Sequence, residues 1–128
     1  MFEKLEITAM AQAMAAHAGA RLGVIARNVA NADTPGYVTQ DVADFADVWR
    51  ETAGDAMRAT RPGHIGAASN MVSSEGFTAQ GHASPNGNSV SIEAEMVKMV
   101  ETRQQSDMAL AIYRGTSDVI RASLGRAR

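Results

Sequence analysis

The chain has 128 residues, of which 45% are hydrophobic and only 5% aromatic, and its formal net charge is −2. This length suits one domain, and so small a net charge provides no basic field of the kind that attracts nucleic acid. The absence of cysteine excludes disulfides, thiolate catalysis and cysteine-based metal sites. No window holds about 18 consecutive apolar residues, so no membrane-spanning helix is predicted. Charged and polar residues near the N-terminus, such as Glu3, Glu6 and Arg21, argue against a cleavable signal peptide.

A long helix is predicted from Glu3 to about Asn31, within an N-terminal unit of residues 1–34. This stretch has no proline and is rich in alanine, which favours helix. Its apolar residues recur at alternating steps of three and four, and their mean step of about 3.6 is that of one helical face. The predicted face consists of Ile7, Ala11, Met14, Ala18, Leu22, Ile25 and Val29.

This helix is predicted to end in a sharp turn at Pro35-Gly36. Proline disfavours helical backbone at the preceding residue, Thr34, and Pro-Gly is typical of a type II turn in which glycine takes a positive φ. Asn28 and Asn31 are expected to hold the helix exit through side-chain to backbone hydrogen bonds.

The middle of the chain, residues 35–89, is predicted to hold the turn, a short helix and a flexible or β-rich segment. Asp44 is expected to cap the short helix. Frequent glycine and proline after residue 54 exclude a long helix there. The strand candidates are Met71-Val72 and Gly76-Phe77-Thr78, and Pro85-Asn86-Gly87-Asn88 is a predicted turn.

A second long helix is predicted from Ile92 to about Leu124, within a C-terminal unit of residues 90–128. Ser91 is its expected N-cap, and Glu93 and Glu95 lie in the first turn, where the helix dipole favours negative charge. Its apolar stripe is interrupted by polar residues and includes Met96, Met99, Leu110 and Tyr113.

These elements predict a mainly α fold in which two long terminal helices form an antiparallel coiled-coil-like pair, joined by a Gly-rich, weakly β or disordered middle. Two helices bury only one stripe between them, which at about 25 cal/mol per Å² barely offsets an ordering cost of about 1.5 kcal/mol per residue. We therefore expect neighbouring subunits to complete the burial, and such a heterologous contact generates a helical assembly when it does not close. The predicted assembly seam comprises Ile7, Met14, Leu22, Ile25, Val29, Met96, Met99, Leu110 and Tyr113.

No catalytic, cofactor or metal motif is found. The histidines His17, His64 and His82 have no His, Asp or Glu three or four residues ahead, which is the spacing of a helical metal pair. An enzyme with an acidic metal site around Asp41, Asp44 and Asp47 is kept as one alternative, which predicts thermal stabilisation by divalent cations.

The stretch Ile25-Ala26-Arg27-Asn28-Val29-Ala30-Asn31-Ala32-Asp33-Thr34-Pro35-Gly36-Tyr37 resembles the N-terminal signature of the flagellar axial proteins of rod and hook, of the form N-x-A-N-x-x-T-P-G-Y. Three further segments resemble the FlgB branch of this family, which builds the proximal rod. They are residues 41–45, 60–65 and 87–95. Two small departures are the extra Ala43 before Asp44-Phe45 and Val38 in place of a basic residue.

The resemblance implies a structural protein with no catalysis, cofactor or metal, in which terminal helices polymerise into the rod that transmits torque. The signature turn comprises Asn28, Asn31, Thr34, Pro35, Gly36 and Tyr37. The implied partners are other rod proteins, the rod–ring adaptor, the membrane ring and the flagellar export apparatus, without nucleic acid or direct membrane insertion. The implied location is the periplasmic rod of the basal body, reached by type III export without a cleavable signal peptide. The alternative function is a soluble helical adaptor or chaperone-like protein whose Met-rich seam binds a partner helix.

Overall fold

The computed structural model describes residues 2–55, 76–78 and 84–125. Along these parts of the chain the elements are α1 (Phe2–Ala30), β1 (Gln40–Val42), α2 (Phe45–Asp55), β2 (Gly76–Thr78) and α3 (Ile92–Gly125). The predicted mainly α fold with two long terminal helices is confirmed, and both helices begin and end close to the predicted residues. The strand candidate Met71-Val72 and the histidines His64 and His82 lie outside the described residues.

The two long helices pack against each other in antiparallel orientation. Asn28, near the end of α1, is hydrogen-bonded to Glu95, near the start of α3, so the two chain directions are opposed. At 1.5 Å per residue the helices are about 43 and 51 Å long, and their contact runs away from this pair toward the free ends. Along that contact Ile25 is buried near the clasp end, and toward the free ends the fully buried apolar side chains are small: Ala11, Ala18 and Ala109.

A small β-ribbon lies beside the end of α1. The strand β1 pairs antiparallel with β2, with Asp41 opposite Phe77, and this confirms the predicted strand at Gly76-Phe77-Thr78. The helix α2 starts directly after Asp44, whose backbone carbonyl accepts hydrogen bonds from the N–H groups of Asp47 and Val48. The three residues of β2 are exposed, whereas β1 buries Asp41 and Val42 against the helices.

The interior is thin and strongly polar. In the described residues the buried apolar side chains are Ala11, Ala18, Val24, Ile25, Val42 and Ala109. The buried polar side chains are His17, Asn28, Thr39, Asp41, Asn88, Glu95 and Thr102. Every buried side-chain nitrogen or oxygen among the described residues has a hydrogen-bond partner, so polar contacts hold much of this fold together.

None of the helices in the described parts of the chain is long and apolar enough to cross a membrane.

Candidate functional site

The signature turn closes the end of α1 as the sequence predicts. The N–H of Tyr37 donates to the carbonyl of Thr34 over 3.3 Å, and Gly36 has a φ of 72°. A positive φ at the third residue of a Pro-Gly turn is the type II arrangement. Only glycine adopts it without steric cost.

A second turn packs directly on the first one. It is the predicted turn at Pro85-Asn86-Gly87-Asn88, closed by the N–H of Gly87 on the carbonyl of Ser84 at 2.8 Å. The N–H of Gly36 donates to the carbonyl of Asn86 at 3.1 Å. A Cβ built on Gly87 would lie 3.5 Å from the Cα of Gly36, so the two turns touch backbone to backbone. The connections before β1 and before α3 are therefore joined.

Asn88 holds the turn after α1 from the other connection. Its amide nitrogen lies 3.0, 2.7 and 2.9 Å from the carbonyl oxygens of Asn31, Ala32 and Thr34. Its amide oxygen accepts from the N–H of Val90 at 2.7 Å. Backbone carbonyls in a turn have no regular hydrogen-bond partners, and here a buried side chain from a distant segment satisfies three of them.

Asn28 connects three elements. Its amide nitrogen donates to the carbonyl of Gln40 at 2.6 Å and to Oε2 of Glu95 at 2.9 Å. Its amide oxygen accepts from the N–H of Gln40 at 3.2 Å and from the hydroxyl of Tyr37 at 3.3 Å. Asn31, by contrast, donates to the carbonyl of Arg27 in its own helix. Asn28 therefore ties α1 to β1 and α3 as well as to the turn.

An alternating chain of charges continues from Glu95. Lys98 Nζ lies 3.1 Å from Oε1 of Glu95 and 2.9 Å from Oδ2 of Asp41, and Arg21 Nε lies 3.1 Å from Oδ1 of Asp41. Burial alone would raise the pKa of Asp41, but hydrogen bonds from Lys98, the Val42 N–H and Arg21 outweigh it and hold this pKa below its ordinary value. Burial alone would likewise lower the pKa of Lys98, but its hydrogen bonds to Asp41 and Glu95 leave this pKa raised.

We call Asn28, Asp41, Asn88, Glu95 and Lys98 the polar clasp. These five side chains join α1, β1, α3 and the segment before α3 at one end of the helix pair. The aspartates of the acidic-site alternative are engaged in ion pairs. Asp41 contacts Lys98 and Arg21, and Asp44 lies 3.5 Å from the same arginine. Asp47 is paired with Arg50.

His17 anchors the start of α2 to the middle of α1. Its Nε2 donates to the carbonyl of Ala43 at 2.8 Å. Its ring meets Phe45 edge-on with centroids 5.7 Å apart, and Phe45 stacks on Trp49. His17 is 2% exposed, so its place in this structure is that of a buried packing residue with a satisfied nitrogen.

The α1 half of the predicted seam lies on the face that α1 turns toward the rest of the chain. Ile25 is buried, and Met14, Leu22 and Val29 are partly buried. Ile7 is exposed near the free end of the helix. On α1 the apolar periodicity thus marks the intramolecular contact.

The α3 half of the predicted seam is exposed. Met96, Met99, Leu110 and Tyr113 all retain more than a third of their surface, so these residues do not form the face that α3 packs on α1. That face instead holds Glu95, Thr102 and Ala109. This face turns inward because the carboxylate of Glu95 finds its hydrogen-bond partners there, Asn28 on α1 and Lys98 on α3. That the seam residues contact other subunits remains a prediction.

Two exposed apolar stripes flank the buried face of α3, one on each side of the helix at about 100° per residue. We call one the Met96 flank, comprising Ile92, Met96, Met99, Val100 and Leu110. We call the other the Val97 flank, comprising Val97, Met108, Ile112 and Val119. Large apolar side chains exposed together in this way mark interaction sites.

Sequence reasoning missed Asn88, Glu95 and Lys98 as clasp residues. Glu95 was interpreted only as a favourable charge near the helix N-terminus. The i,i+3 spacing of Glu95 and Lys98 indicates a local ion pair. Nothing in the sequence pairs Glu95 with Asn28 across 67 positions.

Comparison with known proteins fits this geometry. The family model described as "Flagella basal body rod protein" matches residues 7–37, which cover most of α1 and the whole signature turn. The chain is also 28% identical over 120 residues to the flagellar basal body rod protein FlgB of Agrobacterium fabrum (strain C58), an alignment that covers 88% of this chain and 87% of that protein. The chain is therefore similar to flagellar basal-body rod proteins.

The segment matched by the family model contains Asn28 and the signature turn but ends before β1 and α3. The longer alignment with FlgB extends the similarity over most of the chain. The polar clasp therefore joins the segment that matches the family model to the C-terminal helix.

Proposed function

We propose that the chain is a structural subunit of the proximal rod that polymerises through its terminal helices and transmits torque from the membrane ring to the distal rod. One observation carries the proposal. The face that α3 buries within the chain is polar or small, whereas its large apolar side chains lie outside. The energy available from their burial is therefore reserved for contacts with other chains.

The two flanks favour an open assembly over a closed dimer. The Met96 flank and the Val97 flank lie on opposite sides of the buried face and differ in sequence. A twofold dimer uses one self-complementary patch, whereas two different patches suit head-to-tail contacts that continue as a helical array. At about 25 cal/mol per Å² of apolar surface removed from water, burying both flanks stabilises each added subunit.

The proposed load path runs along the predicted seam. Within a subunit, Leu22 and Ile25 of α1 transmit force to α3 through the helix pair. Between subunits, Met96, Met99 and Leu110 of α3 contact neighbouring chains, with Ile7, Met14, Val29 and Tyr113 completing the seam. The N-terminal unit 1–34, the middle 35–89 and the C-terminal unit 90–128 act as one structural unit.

The proposed partners are other rod proteins, the rod–ring adaptor, the membrane ring and the flagellar export apparatus. The proposed location is the periplasmic rod, reached by export without a cleavable signal peptide. Support for this finer assignment comes from the similarity to FlgB.

The test is detection of the untagged chain in purified basal bodies with an antibody. A label in the turn near Ser84 is unsuitable, because the backbone N–H of Ser84 donates to the carbonyl of Asn88 and an insertion there would disturb the clasp. The proposal expects the chain to co-purify with the rod and to disappear from basal bodies of a deletion strain. A chain confined to the cytoplasm as a folded monomer would instead support the alternative of a helical adaptor.

A further inference from the structure

We propose that the polar clasp sets the register of α1 against α3, and that the packing of the two helices on each other does not. The proposal concerns the single chain and holds whatever that chain assembles with. It rests on the contrast between a smooth helix contact and a buried polar network at one end of it.

Between Ile25, the largest fully buried apolar side chain, and the free ends, the buried side chains of the helix contact are small and repeat every seven residues. Ala11 and Ala18 are one heptad apart on α1, and Thr102 and Ala109 are one heptad apart on α3; all four are buried. Over this part of the contact, sliding one helix by a heptad therefore places small side chains against small side chains again. Thr102 adds no cross-helix specificity through its hydroxyl, which donates to the carbonyl of Lys98 in its own helix at 2.7 Å.

The hydrogen bonds of the polar clasp form in only one register of α3 against α1. A slide of seven residues moves a point on α3 by about 10 Å along α1, which separates Asn28 from Glu95, now 2.9 Å apart. Asn28 is 0% and Glu95 1% exposed, so the slipped state leaves a buried amide and a buried carboxylate without each other. Buried polar groups without partners are strongly disfavoured, and one buried polar position can fix the register of a helix pair.

The remaining clasp residues favour the same alignment. Lys98 reaches both Glu95 of α3 and Asp41 of β1, and a slide of α3 pulls it away from Asp41. Asn88 precedes α3 and is held by three carbonyls of the turn that follows α1. Register is thus fixed at the clasp end and is carried to the free ends by the stiffness of the helices.

The experiment is a distance measurement between two spin labels by pulsed electron resonance on the full chain. The chain has no cysteine, so Ala26→Cys and Asp118→Cys label two exposed sites near opposite ends of the pair. A one-heptad slip changes the label separation by about 10 Å.

The clasp variant is Asn28→Leu/Glu95→Met/Asn88→Ala, and the matched control is Thr102→Val, which changes a buried polar side chain of the same interface outside the clasp. We expect one narrow distance in the parent and in the control, and a second or broadened population in the clasp variant. If circular dichroism shows that the clasp variant has lost its helices, Asn28→Ser/Asn88→Ser replaces it, with the same expectation. A single parental distance in whichever of these variants keeps the parental helix content overturns the proposal.

Discussion

The amide of Asn28 donates a hydrogen bond of 2.9 Å to the carboxylate of Glu95, and both residues are at most 1% exposed to solvent. These residues are 67 positions apart, one at the end of α1 and the other at the start of α3. Around this pair the chain assembles the clasp that closes one end of the helix hairpin. The apolar flanks of α3 are left outside it.

Asn28→Ala should destabilise the chain strongly. The substitution leaves the Gln40 backbone and one Glu95 oxygen without their partner. Each buried polar group that loses its hydrogen bond in this way costs about 1–3 kcal/mol of stability. We expect the free energy of unfolding in urea to fall by about 3 kcal/mol. The matched control is Asn31→Ala, which removes two exposed hydrogen bonds, to the Arg27 carbonyl and from the Thr34 hydroxyl, and should cost about 1 kcal/mol or less. Equal losses in the two variants would contradict the central place of Asn28.

Gly36→Val should destabilise the signature turn through the backbone alone. Gly36 has a φ of 72°, and a Cβ there meets nothing within 4 Å, so strain rather than a clash is the cause. A left-handed conformation costs a non-glycine residue about 1–2 kcal/mol. For a β-branched residue such as valine, the cost is at the upper end of this range. We expect a matching loss of unfolding free energy and failure of the chain to enter rods, with export intact.

The control for this turn is Gly36→Asn, because asparagine tolerates the left-handed region. It should keep more stability than the valine variant and should still enter rods. Normal motility with Gly36→Val would show that the turn geometry is dispensable.

Asp41 should make the chain sensitive to acid. Its pKa is lowered from 3.8 in the fold, so the folded chain binds fewer protons at this carboxyl than the unfolded chain does. The stabilisation is therefore complete above pH 3.8 and is lost as the pH falls through the folded-state pKa. We expect the urea midpoint to drop over this acid range, and Asp41→Asn to flatten that drop. The control variant is Asp33→Asn, which changes an exposed carboxylate directly before Thr34. This variant should leave the acid-induced drop of the urea midpoint unchanged.

Lys98 should make the stability of the chain sensitive to alkali. Its pKa is raised from 10.5, so its contribution is complete below pH 10.5 and is lost as the pH rises through the folded-state value. Stability should therefore fall again in strong alkali, and Lys98→Met should remove that part of the fall. An unchanged alkaline limb would contradict the pairing of Lys98 with Asp41 and Glu95.

Polar substitutions on the flanks should leave the single chain almost unaffected. Met96 and Val100 are 58% and 68% exposed, so Met96→Ser/Val100→Ser should change the unfolding free energy by about 0.5 kcal/mol or less per site. Ile25 is buried, and Ile25→Ala should cost about 3 kcal/mol. Thermal or urea unfolding of the monomer measures both. A large loss in the flank variant would place these side chains inside the fold.

Much of this architecture could be predicted from the sequence, because local signals are strong. The absence of proline and the alanine content predict α1, Pro35-Gly36 predicts its end, and Ser91 predicts the start of α3. The hydroxyl of Ser91 accepts from the N–H of Ala94 at 3.4 Å. The apolar period on α1 also marked its buried face correctly.

On α3 the same period marks an exposed flank. Hydrophobic periodicity assumes that the apolar face turns inward, but α3 turns Glu95 and Thr102 inward. That choice depends on Asn28 of the other helix, and such long-range polar pairs leave no local trace. Asn88 was missed for the same reason, because its three carbonyl partners lie more than 50 positions away.

The most direct test of the central claim replaces the chromosomal copy with Met96→Ser/Val100→Ser and measures the amount of the chain in purified basal bodies. Thr102→Val, a change inside the helix pair, serves as the matched control. We predict that the flank variant is made at normal levels and is as stable as the parent but is absent from the rod, while the control enters it. Parental amounts of the flank variant in the rod would contradict the claim that neighbouring chains cover this surface.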